Sequence, residues 1–330
     1  MSNNFVVQSV RWDRCPTAAG HSLCRAWLTL QSHRGLAKNT LDAYSRGLEV
    51  FLRFLSPQEL SIQAVTRANI GAYLASFQSS DCYLSNATVQ QRVTVLRLFY
   101  SYLVEEGVCH KNPLGQNGSR ALLRRERKLP WIPNECDWQA ILATATEEPI
   151  RNRIMLTLAY DAGLRREELC GLCTDDIDPG RRMIRIRPET TKGRRDRIVP
   201  YSAASGALLA GYLDHRRTLT QKRGQLFLSE SRRNYSAPIS IWSWSKIILQ
   251  IARRAGVPRF TTHTLRHLCL TDLARAGWDI HEIATFAGHR SVQTTLLYIH
   301  LSGRDLAKKL TATMAQVHAR RIEMLAGVTA

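Results

Sequence analysis

Six side chains in the second half of the chain have the chemistry to attack a phosphodiester together: Arg165, Lys192, His263, Arg266, His289 and Tyr298. They lie in five short stretches, Ala162-Gly-Leu-Arg-Arg-Glu-Glu-Leu169, Thr191-Lys-Gly193, His263-Thr-Leu-Arg-His267, Gly288-His289 and Thr294-Thr-Leu-Leu-Tyr-Ile-His300. Cutting a strand with a protein hydroxyl sets three tasks. The nucleophile must lose a proton, negative charge on the phosphate oxygens must be stabilised, and the departing 5′ oxygen must gain a proton. Tyr298 is the candidate nucleophile. A phenol with a pKa near 10 is ionised about once in a thousand at neutral pH, so it needs cationic neighbours or a base. Arg165 and Arg266 are the candidate clamp. Guanidinium is permanently charged and donates two bonds at once to phosphate. Donors aimed at a transition state are worth roughly 10²–10³ in rate each. His263 and His289 can donate to the phosphate or shuttle a proton. Lys192, at a turn between two expected strands, can protonate the 5′ oxygen, a leaving group about as basic as hydroxide. Glu168, one turn beyond Arg165, can orient Arg165 or a histidine and favour their protonated forms.

Each of these residues alone has a plainer explanation. Most tyrosines in helical domains pack, most surface arginines are merely solvated, and a lone histidine is usually structural. Arg166 is expected to be such a surface arginine. His263 and Arg266, three residues apart, share a helix face; His267 is expected to point elsewhere and to serve structure. The ordered set carries the weight. No carboxylate cluster suggests magnesium, and no P-loop or other glycine-rich nucleotide pattern occurs. Cys170-Gly-Leu-Cys173 is a single C-x-x-C inside an amphipathic helical pattern and reads as packing, not zinc. Neither a metal nor a cofactor is expected.

The chain that must position these groups has 330 residues, comfortable for two domains. Its 46 Lys+Arg against 27 Asp+Glu give a formal charge of +19, which points to a polyanionic partner. Nucleic acid comes first and an anionic membrane surface second. No apolar run of transmembrane length and no signal-peptide pattern occurs. Scattered cysteines suit a reducing, intracellular compartment.

Periodicity predicts a helical N-terminal region. Helices are expected over 21–33, from a cap at Asn39-Thr40 through Leu55, from Thr66 through Leu74, and over 87–106: a small four-helix bundle. Residues 109–133 carry Pro113, Gly115, Gly118, Pro130 and Pro133 around a basic run, and read as a linker lying against phosphates. Beyond it, helices are expected at 138–146, 150–162 and 166–172. A polar break at 175–180 precedes a strand at Met183–Arg187, a turn at Thr190–Arg195 and a returning strand at Asp196–Pro200. Helices follow near 202–217, 240–254, 264–276, 279–287, 291–300 and 304–325. Ser291 is the expected N-cap of the helix carrying Tyr298. The fold class is mainly α with a small antiparallel sheet.

At these residues the chain resembles the tyrosine recombinase (phage integrase-like) family, from about residue 21 to 305. The family's Arg–Lys–His-x-x-Arg–His–Tyr order falls on Arg165, Lys192, His263, Arg266, His289 and Tyr298. The Thr-Lys-Gly-Arg-Arg-Asp-Arg-Ile-Val-Pro hairpin and the Gly-His…Thr-Thr…Tyr-x-His ending are also similar. Ala287 stands where Leu usually precedes Gly-His, and Ala162 where Thr often precedes Gly-Leu-Arg. The resemblance implies a tail at 1–20, a SAM-like core-binding bundle at 21–108, the linker at 109–133 and a catalytic domain of the DNA breaking-rejoining fold at 134–305. It also implies a segment at 306–330, with Leu306–Leu325 helical, that docks onto a neighbouring protomer. The implied function is site-specific recombination by a C-shaped clamp on duplex DNA, through 3′-phosphotyrosine links and a Holliday junction, without ATP. The implied partners are double-stranded DNA with specific sites, four protomers in synapsis, and an accessory or partner recombinase; no membrane is involved. The implied setting is bacterial, cytoplasmic and nucleoid-associated. A short N-terminus suggests an Xer-like recombinase or a mobile-element integrase without an arm-binding domain. The competing readings are a type IB topoisomerase-like or telomere-resolving enzyme, and a non-catalytic DNA-binding regulator.

Overall fold

The computed structural model describes residues 9–77, 84–115, 129–191 and 195–301, together with 311 and 321. Lys192 and nearly all of the 306–330 segment therefore lie outside the described residues. The chain divides into two compact units, Met1–Arg127 and Lys128–Ala330.

The first unit holds five described helices: α1 (Pro16–Gly20), α2 (Ser22–His33), α3 (Lys38–Leu55), α4 (Arg67–Ala75) and α5 (Asn86–Glu105). The short α1 falls in the stretch expected to be a tail. Cys15 and Ala18 are fully buried there. Buried Glu49 of α3 accepts hydrogen bonds from Thr17 Oγ1 (2.8 Å) and the Ala18 N–H (2.9 Å), which fastens α1 to the bundle. The cap expected at Asn39-Thr40 is not used. Ala37, in extended conformation, sits at the N-cap without a side-chain bond, and its carbonyl accepts from Leu41 N at 3.0 Å. Thr66 does cap α4, in a reciprocal box with Asn69. Aromatic rings fill the core. Trp27 stacks on Tyr44 and meets Phe99 edge-on, and Phe51 and Phe77 both meet Tyr73 edge-on.

The second unit contains α6 (Glu135–Thr146), α7 (Ile150–Asp161), α8 (Arg166–Cys170), β1 (Ile177–Asp178), β2 (Met183–Ile186), β3 (Arg197–Pro200), α9 (Ala203–Leu219), α10 (Ile241–Arg254), α11 (Thr262–Arg275), α12 (Ile280–Ala287) and α13 (Val292–Leu301). The sheet is antiparallel in the order β1-β2-β3. The two-residue β1 lies in the stretch expected as a polar break. The pairs Ile184↔Val199 and Ile186↔Arg197 put these four on one face. Ile184, Ile186 and Val199 are fully buried, whereas Arg185 and Ile198 face out. The alternation thus sends Arg197 inward. Cys170 is packed in the core, and Cys173 Sγ accepts from Arg187 Nη2 at 3.3 Å.

No helix among the described residues is long and apolar enough to cross a membrane.

Candidate active site

The site is built around the C-terminal end of α12. The last carbonyls of a helix have no partner within it and carry the negative end of its dipole. Here three guanidinium groups satisfy them. Arg197 Nε donates to Phe286 O at 3.0 Å. Arg165 Nη1 and Nη2 approach Ala287 O and Gly288 O, both at 3.4 Å. Arg266 Nη2 donates to Ala287 O, and its Nη1 to Gly163 O. Arg165 and Arg266, 101 positions apart in the chain, therefore meet at one carbonyl. That carbonyl belongs to the backbone of Ala287, so the small side chain there leaves the contact intact.

Two glycines make the arrangement feasible. Gly288 ends α12 at φ +63°, and a Cβ there would lie 2.9 Å from Arg197 Nη1. Gly163, at φ +56°, would press a Cβ to 3.0 Å from Phe286 Cε1 while its carbonyl receives Arg266.

Glu168 is the counter-charge. Its side chain is fully buried. It accepts from Arg165 N–H (2.9 Å) and Nη1 (2.8 Å), and from Arg197 Nη1 (3.0 Å) and Nη2 (2.8 Å). Burial alone would raise its pKa. The hydrogen bonds and charge of Arg197, followed by those of Arg165, hold it down at about 2. Its partners are two arginines and no histidine. Arg197 was not singled out in the sequence. Its signal is its place beside Val199 on the inward register of β3.

Helix α11 supplies the next layer. Thr261 caps it in a box with Thr264, which fixes the helix start just before His263. His263, Arg266 and His267 fall at i, i+3 and i+4, so all three belong to one stripe. The expectation that His267 points elsewhere is corrected by this spacing: its Nδ1 lies 3.0 Å from the Tyr298 hydroxyl. His289 follows the Gly288 turn, and its Nδ1 lies 2.9 Å from Thr295 Oγ1. The His289 ring is stacked on Tyr298, nearly parallel at 8° with centroids 5.9 Å apart. Tyr298, 3% exposed, stands between the two imidazoles. At the start of α13, Ser291 Oγ accepts from Gln293 N at 3.3 Å.

The local field is set by burial and the arginines. Burial lowers the pKa of His289 to about 3, with Arg266 and Arg165 adding to the effect. Burial, then His263 and Arg266, lower that of His267 to about 4. His263 is lowered too, chiefly by burial. All three are neutral at pH 7, which corrects the expectation that Glu168 would favour charged histidines. Arg266 is lowered by burial and then Arg165, to about 10, and stays charged. Burial raises the Tyr298 phenol; Arg266 and Arg165 pull it partly back.

Lys192 is outside the described residues, but Thr191 and Arg195, on either side of the undescribed stretch, are bonded to each other. Thr191 Oγ1 accepts from Arg195 N at 3.0 Å. An open groove beside the site is lined by Arg195, Arg197, His289 and Arg290, among others. Arg166 is less idle than expected. It pairs with Glu167 at 2.8 Å, donates to Ser245 Oγ at 3.1 Å and lies 5.8 Å from the ring of Trp242, which is 74% exposed. Among the described residues no three His, Cys, Asp or Glu side chains group as metal ligands do.

Residues 134–304 match the phage integrase family, and residues 25–107 match the phage integrase N-terminal SAM-like domain. The chain belongs to the phage integrase family. A tyrosine recombinase XerC from Xylella fastidiosa is 30% identical over 297 residues, covering 88% of this chain and 95% of that protein. A tyrosine recombinase from Thermosipho africanus is 28% identical over 282 residues, covering 83% of this chain and 94% of its own. The fold is shared with XerH recombinase bound to palindromic difH substrate in a post-cleavage complex (TM-score 0.71, 20% identity, 96% of this chain and 92% of that one). It is also shared with a lambda integrase dimer bound to a COC′ core site (TM-score 0.67, 17% identity, 84% and 94%).

Proposed function

We propose that this integrase-family chain cuts and rejoins duplex DNA with Tyr298 as nucleophile and Arg165, Arg266, His263 and His289 around the scissile phosphate. It is a tyrosine site-specific recombinase, an enzyme of DNA recombination. Its relatives carry that name, and related folds have been solved on DNA. The topoisomerase-like and regulator readings are not favoured by that kinship.

One observation carries the assignment of roles. Both arginines converge on the turn that delivers His289, and the Tyr298 ring lies flat on that same histidine. A phosphate at this turn would meet guanidinium donors, imidazole N–H groups and the phenol together. The Tyr298 oxygen attacks phosphorus, forming a 3′-phosphotyrosine and expelling the 5′ oxygen. Lys192 gives that oxygen a proton. Glu168 and Arg197 hold Arg165 in place. Rejoining runs the same steps backwards, using the energy kept in the phosphotyrosine link. Strand exchange proceeds through a Holliday junction in a synapse of four protomers, with 306–330 as the docking segment and 109–133 lying against phosphates.

A nicked suicide duplex carrying the chain's own site tests the core of this reading. The wild type forms an SDS-stable protein–DNA adduct. Tyr298→Phe binds the duplex and forms none; an adduct with that variant would mean that another residue is the nucleophile. Gel-filtration of the DNA complex against a chain ending at residue 305 tests the docking segment. Unchanged assembly would refute its role.

A further inference from the structure

The phenol oxygen of Tyr298 is buried, and among the described residues its hydrogen-bond partner is a histidine outside the six residues of the signature. We infer that His267 is the base that takes the phenolic proton of Tyr298 as that oxygen attacks phosphorus. The inference rests on the assignment of Tyr298 as nucleophile.

Three observations carry it. Contact comes first: Nδ1 lies 3.0 Å from the oxygen, within the reach that proton transfer requires. Competition comes second. His289 Nδ1 is engaged with Thr295 Oγ1, and its ring lies parallel to the phenol, so it presents a face to Tyr298 where His267 presents an edge nitrogen. Position comes third. His267 sits on the same stripe of α11 as Arg266, so one rigid helix fixes base and phosphate clamp relative to each other.

The assignment requires the neutral tautomer with its proton on Nε2, which leaves the Nδ1 lone pair facing the hydroxyl. The balance is simple. The phenol O–H bond breaks and its proton moves to Nδ1. The O–P bond forms, the bond from phosphorus to the 5′ oxygen breaks, and that oxygen is protonated by the general acid. The proton on His267 returns to the phenol when the strand is rejoined. The groups facing His267 are His263 and Arg266 on its own helix, His289 at the turn and Tyr298 on α13. Burial, His263 and Arg266 disfavour an imidazolium there. The phosphodiester brings a negative charge to the same place, so the base gains strength when substrate binds.

His267→Asn separates chemistry from packing. The Asn side-chain oxygen can replace Nδ1 as an acceptor for the hydroxyl but cannot take its proton. Single-turnover cleavage of the suicide duplex by this variant should fall by roughly 10²-fold or more. Its rate should rise about tenfold per pH unit toward the phenol pKa, while the wild type stays flatter. A duplex with sulfur at the bridging 5′ position, a good leaving group without an acid, should not restore it. In His267→Ala, added imidazole should restore part of the lost rate. Cleavage by His267→Asn within about threefold of wild type, with the same pH profile, would overturn the inference. So would a full rescue by the 5′ sulfur. Tyr298→Phe is run alongside: an adduct there sinks the nucleophile assignment itself, a different failure from a competent His267→Asn.

Discussion

Replacing Glu168 by Gln tests the electrostatic frame of the site. The change preserves shape and removes one charge. In the wild type, this fully buried carboxylate is shared by Arg165 and Arg197, with Arg266 nearby. Holding its pKa at about 2, against an ordinary value of 4.5, corresponds to about 3 kcal/mol of folding stability at neutral pH. Removing one partner of a buried ion pair costs a comparable amount, about 3–5 kcal/mol. The sign follows from linkage. The folded-state pKa is depressed, so the contribution is complete above about pH 4.5 and is lost as pH falls toward 2. Urea unfolding of both proteins between pH 7 and pH 3 measures it. The gap between them should be about 3 kcal/mol at pH 7 and shrink to about half by pH 3. Sulfate should stabilise the variant more than the wild type, because an anion can lie against guanidiniums that have lost their carboxylate. A gap under about 1 kcal/mol at pH 7, or one that does not change with pH, would refute the reasoning.

Arg266→Lys keeps the charge but cannot reach the Gly163 and Ala287 carbonyls together, so adduct formation should fall by roughly 10²–10³ while DNA binding in a gel-shift assay persists. Gly288→Ala places a Cβ at φ +63° against Arg197; a stability loss of about 1–2 kcal/mol from the backbone alone, and more from the displaced arginine, should appear in thermal melts. His289, with its pKa lowered to about 3, should show no imidazole titration between pH 5 and 8 by NMR in the DNA-free protein. Since that pKa lies below the unfolded value near 6.5, its contribution to stability is complete above pH 6.5 and is lost on acidification toward 3, and His289→Gln should flatten that part of the stability profile.

Much of this arrangement was legible in the sequence, for identifiable reasons. The long helices α2, α3, α5, α9 and α10 carry apolar residues at helical spacing, and Met183-Ile-Arg-Ile-Arg187, which contains β2, alternates. His263 and Arg266 are brought to one side of α11 by spacing alone. What escaped was short or made of backbone. Five-residue α1 and two-residue β1 offer too few residues for a period to emerge, and they exist because Glu49 and β2 give them partners. His267 was misread although the same helical rule, carried one residue further, puts it beside Arg266. Arg197 was hidden by its type: arginine on an alternating strand reads as an outward residue, yet its register partner Ile186 is fully buried. The cradle for the arginines leaves almost no mark in the sequence, because its acceptors are the carbonyls of Gly163, Phe286, Ala287 and Gly288.

That cradle explains how three guanidiniums can be gathered around one carboxylate before any phosphate arrives. Like charges in a poorly solvated pocket repel, and burial has already lowered the pKa of Arg266 to about 10. Side-chain counter-charges could neutralise them, but a second carboxylate would also repel the substrate. Carbonyl dipoles at the end of α12 hold the guanidiniums with no net charge of their own, so the pocket keeps a net positive charge. Glu168 is fully buried and bonded to Arg165 and Arg197. Arg266, lacking a direct carboxylate partner among the described residues, is left as the cation with most to gain from a bound phosphate. The order of sensitivity follows. Substitution of Glu168 or Arg197 should be felt first in the stability of the free protein. Substitution of Arg266 should be felt first in the cleavage rate, and a melt that collapsed for Arg266→Lys as far as for Glu168→Gln would contradict this division of labour.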